Sequence, residues 1–206
     1  MTQRFADIAF TTSVKAKQEH YRTRRQNQRL EEADWGLDGL TETEAQFISE
    51  RDGFYLASVN EEGWPYVQFR GGPKGFLKVL DSHTLGYADF RGNLQYISMG
   101  NISHDNRVSL ILMDYARKRR IKIFARAEVV DASQAPELIE QLEMPDYRAK
   151  IERAVVLHVE AFDWNCPQHI TARFTHDEVL QMVAPLQEKV KQLEAEIAAL
   201  RMKNEE

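Results

Sequence analysis

Gly75-Phe-Leu-Lys-Val-Leu-Asp81, followed after a short gap by Tyr87-Ala-Asp-Phe-Arg-Gly-Asn93, decides the reading of this chain. Both segments lie within a longer run, Phe54 to Val130, in which aromatic and β-branched residues alternate with Gly, Asp and Asn clusters. Phe54-Tyr-Leu-Ala-Ser-Val59 breaks at Asn60-Glu-Glu-Gly63 and resumes at Trp64-Pro-Tyr-Val-Gln-Phe-Arg70. That pattern predicts consecutive antiparallel strands over 54–59, 64–70, 76–80, 84–88, 107–113 and 120–130. So many short strands, too few for two full sheets, predict a small closed or half-closed barrel. The polar residues fall in the connections, where a ligand site would be built.

Two connections stand out. Arg70-Gly-Gly-Pro-Lys74 places adjacent glycines at a strand end, so the backbone there can turn sharply or approach a ligand closely. Asp89-Phe-Arg-Gly-Asn93 leads into Leu94-Gln-Tyr-Ile-Ser-Met99, which reads as a short helix. An Arg and an Asn beside helix N-terminal amides suit an anion, phosphate above all. Ordinary polar turns account for both stretches equally well.

The order of these segments resembles the pyridoxamine 5′-phosphate oxidase-like, flavin-binding split-barrel family. The matching residues are Phe76-Leu77-Lys78, Asp81, Tyr87-Ala88-Asp89 and Arg91-Gly92-Asn93. They continue with a helix ending in Gly100-Asn101 and the strands starting at Arg107 and Ile121. The resemblance covers roughly residues 45–175. It implies a homodimer with flavin mononucleotide (FMN) between the subunits. Arg70, Lys78 and Asn93, with Arg91, would hold the phosphate and ribityl chain, and Tyr87, Ala88 and Asp89 would line the ring edge. Arg120 and Trp164 would reach in from the facing subunit, and Trp164, Gln168 and His169 match the family's C-terminal stretch beside the flavin. The resemblance leaves no catalytic side chain assigned, because the flavin carries the hydride or electron transfer.

The chain also departs from the family pattern. Pro73 stands where an Arg opens the corresponding motif, and residues 131–150 lack the Tyr…Arg…Ser series that holds pyridoxal phosphate in the true oxidase. Pyridoxamine phosphate is therefore not the expected substrate. An FMN-dependent oxidoreductase of another small molecule, with NADH or NADPH as donor, is the first reading. A non-catalytic sensor or store for flavin or another planar cofactor is the alternative. Some relatives bind haem or deazaflavin.

With 206 residues, 43% of them hydrophobic, the chain can build one packed domain with appendages. A net charge of −5 gives no general attraction to nucleic acid or anionic membrane. Cys166 is the sole cysteine, so no disulfide can form within the chain, and no stretch has the length and apolarity of a membrane span. The cytoplasm is the expected compartment. Residues 1–40 read as a helix and linker, 41–175 as the flavin-binding domain, and 176–206 as a C-terminal helix.

In the N-terminal part, Ser13 or Thr12 can cap a helix over Val14–Tyr21 whose cations form a solvated face. Thr41 and Glu44 form a capping box for a helix that covers one barrel end. Arg117, Lys118 and Arg119 read as an exposed hairpin turn. A helix over 137–143 precedes a last strand at 154–160, and Phe162–Ile170 reads as a loop. Cys166 and His169 fall short of a zinc site and lack an activating neighbour in sequence, so no metal is expected. From Val179 to Leu200 apolar residues recur at alternating spacings of four and three, a coiled-coil seam that Pro185 is expected to interrupt.

Overall fold

The computed structural model describes residues 3–33, 39–164 and 167–204. The described residues form two compact units, Met1–Asp114 with Arg119–Gln168, and Tyr115–Lys118 with His169–Glu206. Cys166 lies outside the described residues.

The first unit is mainly β. Strands β1 (Gly53–Val59), β2 (Pro65–Gly71), β3 (Lys78–Asp81), β4 (Thr84–Phe90), β5 (Arg107–Asp114), β6 (Arg119–Asp131) and β7 (Ile151–Trp164) make one antiparallel sheet in the order β2-β1-β5-β6-β7-β4-β3. These are the six strands expected between residues 54 and 130 plus the last one, in the split-barrel arrangement. Strict alternation builds the core. Val108, Leu110 and Leu112 of β5 face inward with Ile121, Ile123 and Ala125 of β6. They meet Phe54, Phe76, Tyr87, Leu157 and Phe162 in one cluster. Arg120, Lys122 and Phe124 point to the opposite face, as the two-residue period requires.

Helices flank the sheet: α1 (Gln3–Ala9), α2 (Thr12–His20), α3 (Arg24–Glu32), α4 (Glu42–Ser49), α5 (Ile97–His104) and α6 (Pro136–Leu142). The N-terminal part carries three helices where one helix and a linker were expected. Phe5 of α1 stacks on Phe124 at 5.1 Å, which anchors α1 on the outer face of β6. Lys15 of α2 pairs with Glu31 of α3 at 3.3 Å, and Arg24 of α3 donates to Gln18 of α2 at 3.0 Å, so these two cations tie the helices together. Thr11, in place of Ser13 or Thr12, caps α2 by accepting from the Val14 amide.

Three boundaries move for local reasons. Strand β7 runs four residues past the expected end at Glu160, because Ala161 to Trp164 pair with Phe124 to Ile121. Helix α5 starts at Ile97 instead of Leu94, since Leu94 and Tyr96 adopt left-handed backbone (φ 64° and 53°) that a helix cannot contain. Strand β3 starts at Lys78, after a turn in which the Phe76 amide donates to the Pro73 carbonyl. The paired glycines serve this turn's packing: a Cβ on Gly72 would lie 2.7 Å from the Phe76 ring.

Helix α4 has the expected capping box, with Thr41 as cap and Glu44 accepting from the Thr41 amide and hydroxyl. Glu44 accepts a third bond, from the Trp164 indole at 2.7 Å. Burial raises the Glu44 carboxyl, but these bonds outweigh it and hold the carboxyl below its usual range. A lowered folded-state pKa gives stability that is present at neutral pH and lost as pH falls through it. Glu44→Gln is therefore expected to be less stable than wild type at pH 7 and to lose less on acidification below about pH 4.3. Urea unfolding at several pH values checks this; parallel acid limbs would contradict it.

The second unit holds α7 (His176–Asn204), 29 residues long. It runs through Pro185 unbroken, contrary to the expected interruption. No helix among the described residues is long and apolar enough to cross a membrane.

Candidate functional site

The site is built where β2 and β4 present alternate residues to the loop between β4 and α5. On β2, Tyr66, Gln68 and Arg70 point inward while Val67 and Phe69 point out. On β4, Asp89 sits directly opposite Arg153 of β7 in the strand register. Arg70 Nη1 donates to Asp89 Oδ1 at 2.6 Å, and Arg153 Nη1 donates to Asp89 Oδ2 at 3.2 Å. Arg153 also bonds Glu152 at 2.8 Å and lies over the Tyr96 ring. Asp89 is only 5% exposed, so its two oxygens are satisfied by two guanidiniums rather than by water. Burial raises the Asp89 carboxyl, and the charges of Arg70 and Arg153 oppose that rise.

Two adjoining hollows share Gln68, Arg70, Asp89, Phe90 and Gly92. One, about 260 Å³, has Phe76, Tyr87 and Tyr147 in its wall. The other lies under Asn93–Met99, with Glu152 and Arg153 on its far side. Asn93 shapes this loop, its Oδ1 accepting from the Gln95 amide at 3.1 Å. Ser98 donates to Gln68 at 2.7 Å, pinning the start of α5 to β2. The two left-handed residues, Leu94 and Tyr96, sit in this loop, and backbone strain of that kind concentrates at ligand sites.

Two residues of the walls carry a buried polar atom without a hydrogen-bond partner among the described residues, Arg70 at Nε and Tyr87 at its hydroxyl, although buried donors are almost always paired. Burial pushes the Tyr87 phenol far above its usual range, so it stays a neutral donor. Around the hollows, Arg70, Arg91 and Arg153 face Asp89 and Glu152, one positive charge in excess.

The structure therefore brings together Arg70, Tyr87, Ala88, Asp89, Arg91 and Asn93. Lys78 does not join them. Its ammonium donates to the Gln141 and Glu143 carbonyls at the end of α6, a helix-terminus role that removes it from the expected anion pocket. Arg120, Trp164 and Gln168 do not line either hollow, and His169 belongs to the second unit. Trp164 is held in its own chain by Glu44, by Phe47 at 4.8 Å and by Arg119 over its ring. Arg120 Nε is buried and lacks a partner among the described residues; Gln168 and His169 are exposed. Among the described residues no group of three potential ligands could hold a metal ion. Gln68, Ser98, Tyr96, Glu152 and Arg153 escaped sequence reading. The signal for Arg153 is its cross-strand register with Asp89, which needs the β4–β7 pairing to be known.

The seven-stranded antiparallel sheet with its flanking helices is that of a split barrel. Residues 40–165 match the family model of pyridoxamine 5′-phosphate oxidase, well over half of the chain, and the protein belongs to that family. No curated protein matches the chain. Among solved structures, HupZ of Group A Streptococcus is 16% identical, with a TM-score of 0.47 over 66% of this chain and 99% of that one. A Lactobacillus delbrueckii protein provisionally described as a pyridoxamine 5′-phosphate oxidase is 25% identical, with a TM-score of 0.47 over 63% of this chain and 97% of that one. An FMN-binding protein of Syntrophomonas wolfei is 11% identical, with a TM-score of 0.45 over 58% of this chain and 81% of that one.

Proposed function

We propose that the cavity between β2, β4 and residues 91–99 binds FMN, and that the protein is a flavin-dependent oxidoreductase acting on a small molecule. The observation that carries the reading is the buried Arg70–Asp89–Arg153 set lining the cavity, in which Arg70 Nε has no partner among the described residues. The residues fit the group. Arg91, half-exposed, suits a phosphate, the fixed fork of Arg70 suits a planar acceptor, and Phe76, Phe90 and Tyr147 supply apolar and aromatic wall. Bound flavin would supply hydride or electron transfer; the chain's own residues bind it, orient it and exclude water.

A homodimer belongs to the same reading. Tyr55, Val59, Val67 and Phe69 form an exposed apolar face on the back of the β1–β2 hairpin, with Val67 and Phe69 more than half exposed. Arg120, Trp164 and Gln168, outside the cavity of their own chain, would reach a flavin from a second copy.

Cofactor storage without turnover is the second reading. It is favoured by Asp89, the buried carboxylate of the cavity, being held in two ion pairs and so poorly placed as a base. Anaerobic addition of NADH or NADPH to the flavin-loaded protein separates the two: bleaching of the flavin's visible band supports the oxidoreductase, and an unchanged spectrum supports storage.

Tyr87→Phe gives a sharper check. Removing an unpaired buried hydroxyl should stabilise the cofactor-free protein by about 1 kcal/mol. If flavin accepts from that hydroxyl, the variant should also bind FMN several-fold more weakly. Lower cofactor-free stability would mean that the hydroxyl already has a partner.

A further inference from the structure

We infer that α7 pairs with α7 of a second copy of this chain as a parallel, in-register, two-stranded coiled coil. Because the helix continues through Pro185, the apolar seam spans three heptads, from Val179 to Leu200. Val183, Val190 and Ile197 occupy the a positions, and Val179, Leu186, Leu193 and Leu200 occupy the d positions. β-branched residues at a with Leu at d favour two parallel strands over other assemblies. The seam is uncovered within the chain: Leu186 is 66% exposed, Ile197 50% and Leu200 60%. Pro185 falls at position c, away from the seam, where its ring and missing amide do not touch a partner.

The flanking charges select the same occupant. Lys189 and Glu196 are at g, and Glu194 and Arg201 are at e. In a parallel pair each g residue faces the e residue five positions further along the other helix. Lys189 then meets Glu194 of the partner subunit, and Glu196 meets Arg201 of the partner subunit; both contacts are attractive. Neither Lys189 nor Glu196 has an opposite charge three or four residues away on its own helix, so these charges have no intrahelical purpose. This charge pattern complements itself, which points to a second copy of the chain rather than to a different protein.

The test uses the full-length protein with Cys166→Ser and Leu200→Cys, oxidised at micromolar concentration. A disulfide joins Cα atoms about 4–7 Å apart, which an in-register d layer allows. In an antiparallel pair centred on the seam the two thiols would be about 30 Å apart. Cross-linked dimer is the expected result, and Leu193→Cys in the same background repeats it at mid-seam, away from the fraying end. Adding Glu194→Lys should lower the yield, and adding Lys189→Glu as well should restore it. Failure of both thiols to cross-link would overturn the inference, whether the helix is solitary, antiparallel or paired with another protein. A double charge swap no better than the single would overturn the parallel register. These outcomes are independent of flavin: a colourless protein that cross-links contradicts only the proposed cofactor.

Discussion

Asp89→Ala is expected to lower the free energy of unfolding by about 3–5 kcal/mol and to cost the protein its FMN. Asp89 lies between two arginines whose side chains are only 14% and 13% exposed. The intact set contributes little net stability, because taking three charges out of water offsets most of their mutual attraction. Deleting the carboxylate is different, since it leaves two largely buried guanidiniums of like charge without the partner they share. Arg70 would also lose the bond that fixes its fork toward the cavity. Chemical denaturation and an FMN titration of the same variant check both effects. A variant within about 1 kcal/mol of wild type would show that water takes over the role of Asp89.

Phe54→Ala is expected to cost about 3–5 kcal/mol, as for other buried aromatic truncations. Phe54 is 1% exposed, stacks on Phe76 at 5.7 Å and meets the edge of Tyr87 at 5.4 Å. Phe76 and Tyr87 are themselves wall residues of the larger hollow. Truncation therefore loosens the floor of the site as well as the core, and flavin affinity should fall along with stability. Phe162→Ala, equally buried in the same cluster but not in either hollow's wall, separates the two effects. It should destabilise comparably and leave the affinity of the folded protein unchanged.

The barrel was legible because alternation is strict where one face is buried. Arg107–Asp114 and Ile121–Ala127 show the period directly. Strand β7 was under-read at its end, where Asp163, tied to Lys122 at 3.2 Å, interrupts the apolar run and the chain still pairs as strand. Helix α3 was invisible to pattern because its residues are almost all polar, and its ties to α2, Lys15 to Glu31 and Arg24 to Gln18, leave no apolar period in the sequence. In the site, Arg70 and the 87–93 stretch could be found because they sit at strand ends beside glycines. The partners of Lys78 were not legible, because its ammonium bonds carbonyls at the end of α6 more than sixty residues away in sequence. Arg153 could not be found, since only the β4–β7 pairing brings it to Asp89, and neither could Gln68, which meets Ser98 only where α5 starts beside β2.

The central claim is that the Arg70–Asp89 cavity holds FMN. Its most direct test is a titration of the full-length, cofactor-free protein with FMN, read by quenching of flavin fluorescence, on wild type, Arg70→Ala and Lys78→Ala. The account predicts saturable binding to wild type and a loss of about 1–3 kcal/mol of affinity in Arg70→Ala, the worth of a charge-assisted bond. Lys78→Ala should bind as wild type does. Absence of saturable binding to wild type, or an Arg70→Ala affinity equal to that of wild type, would contradict it.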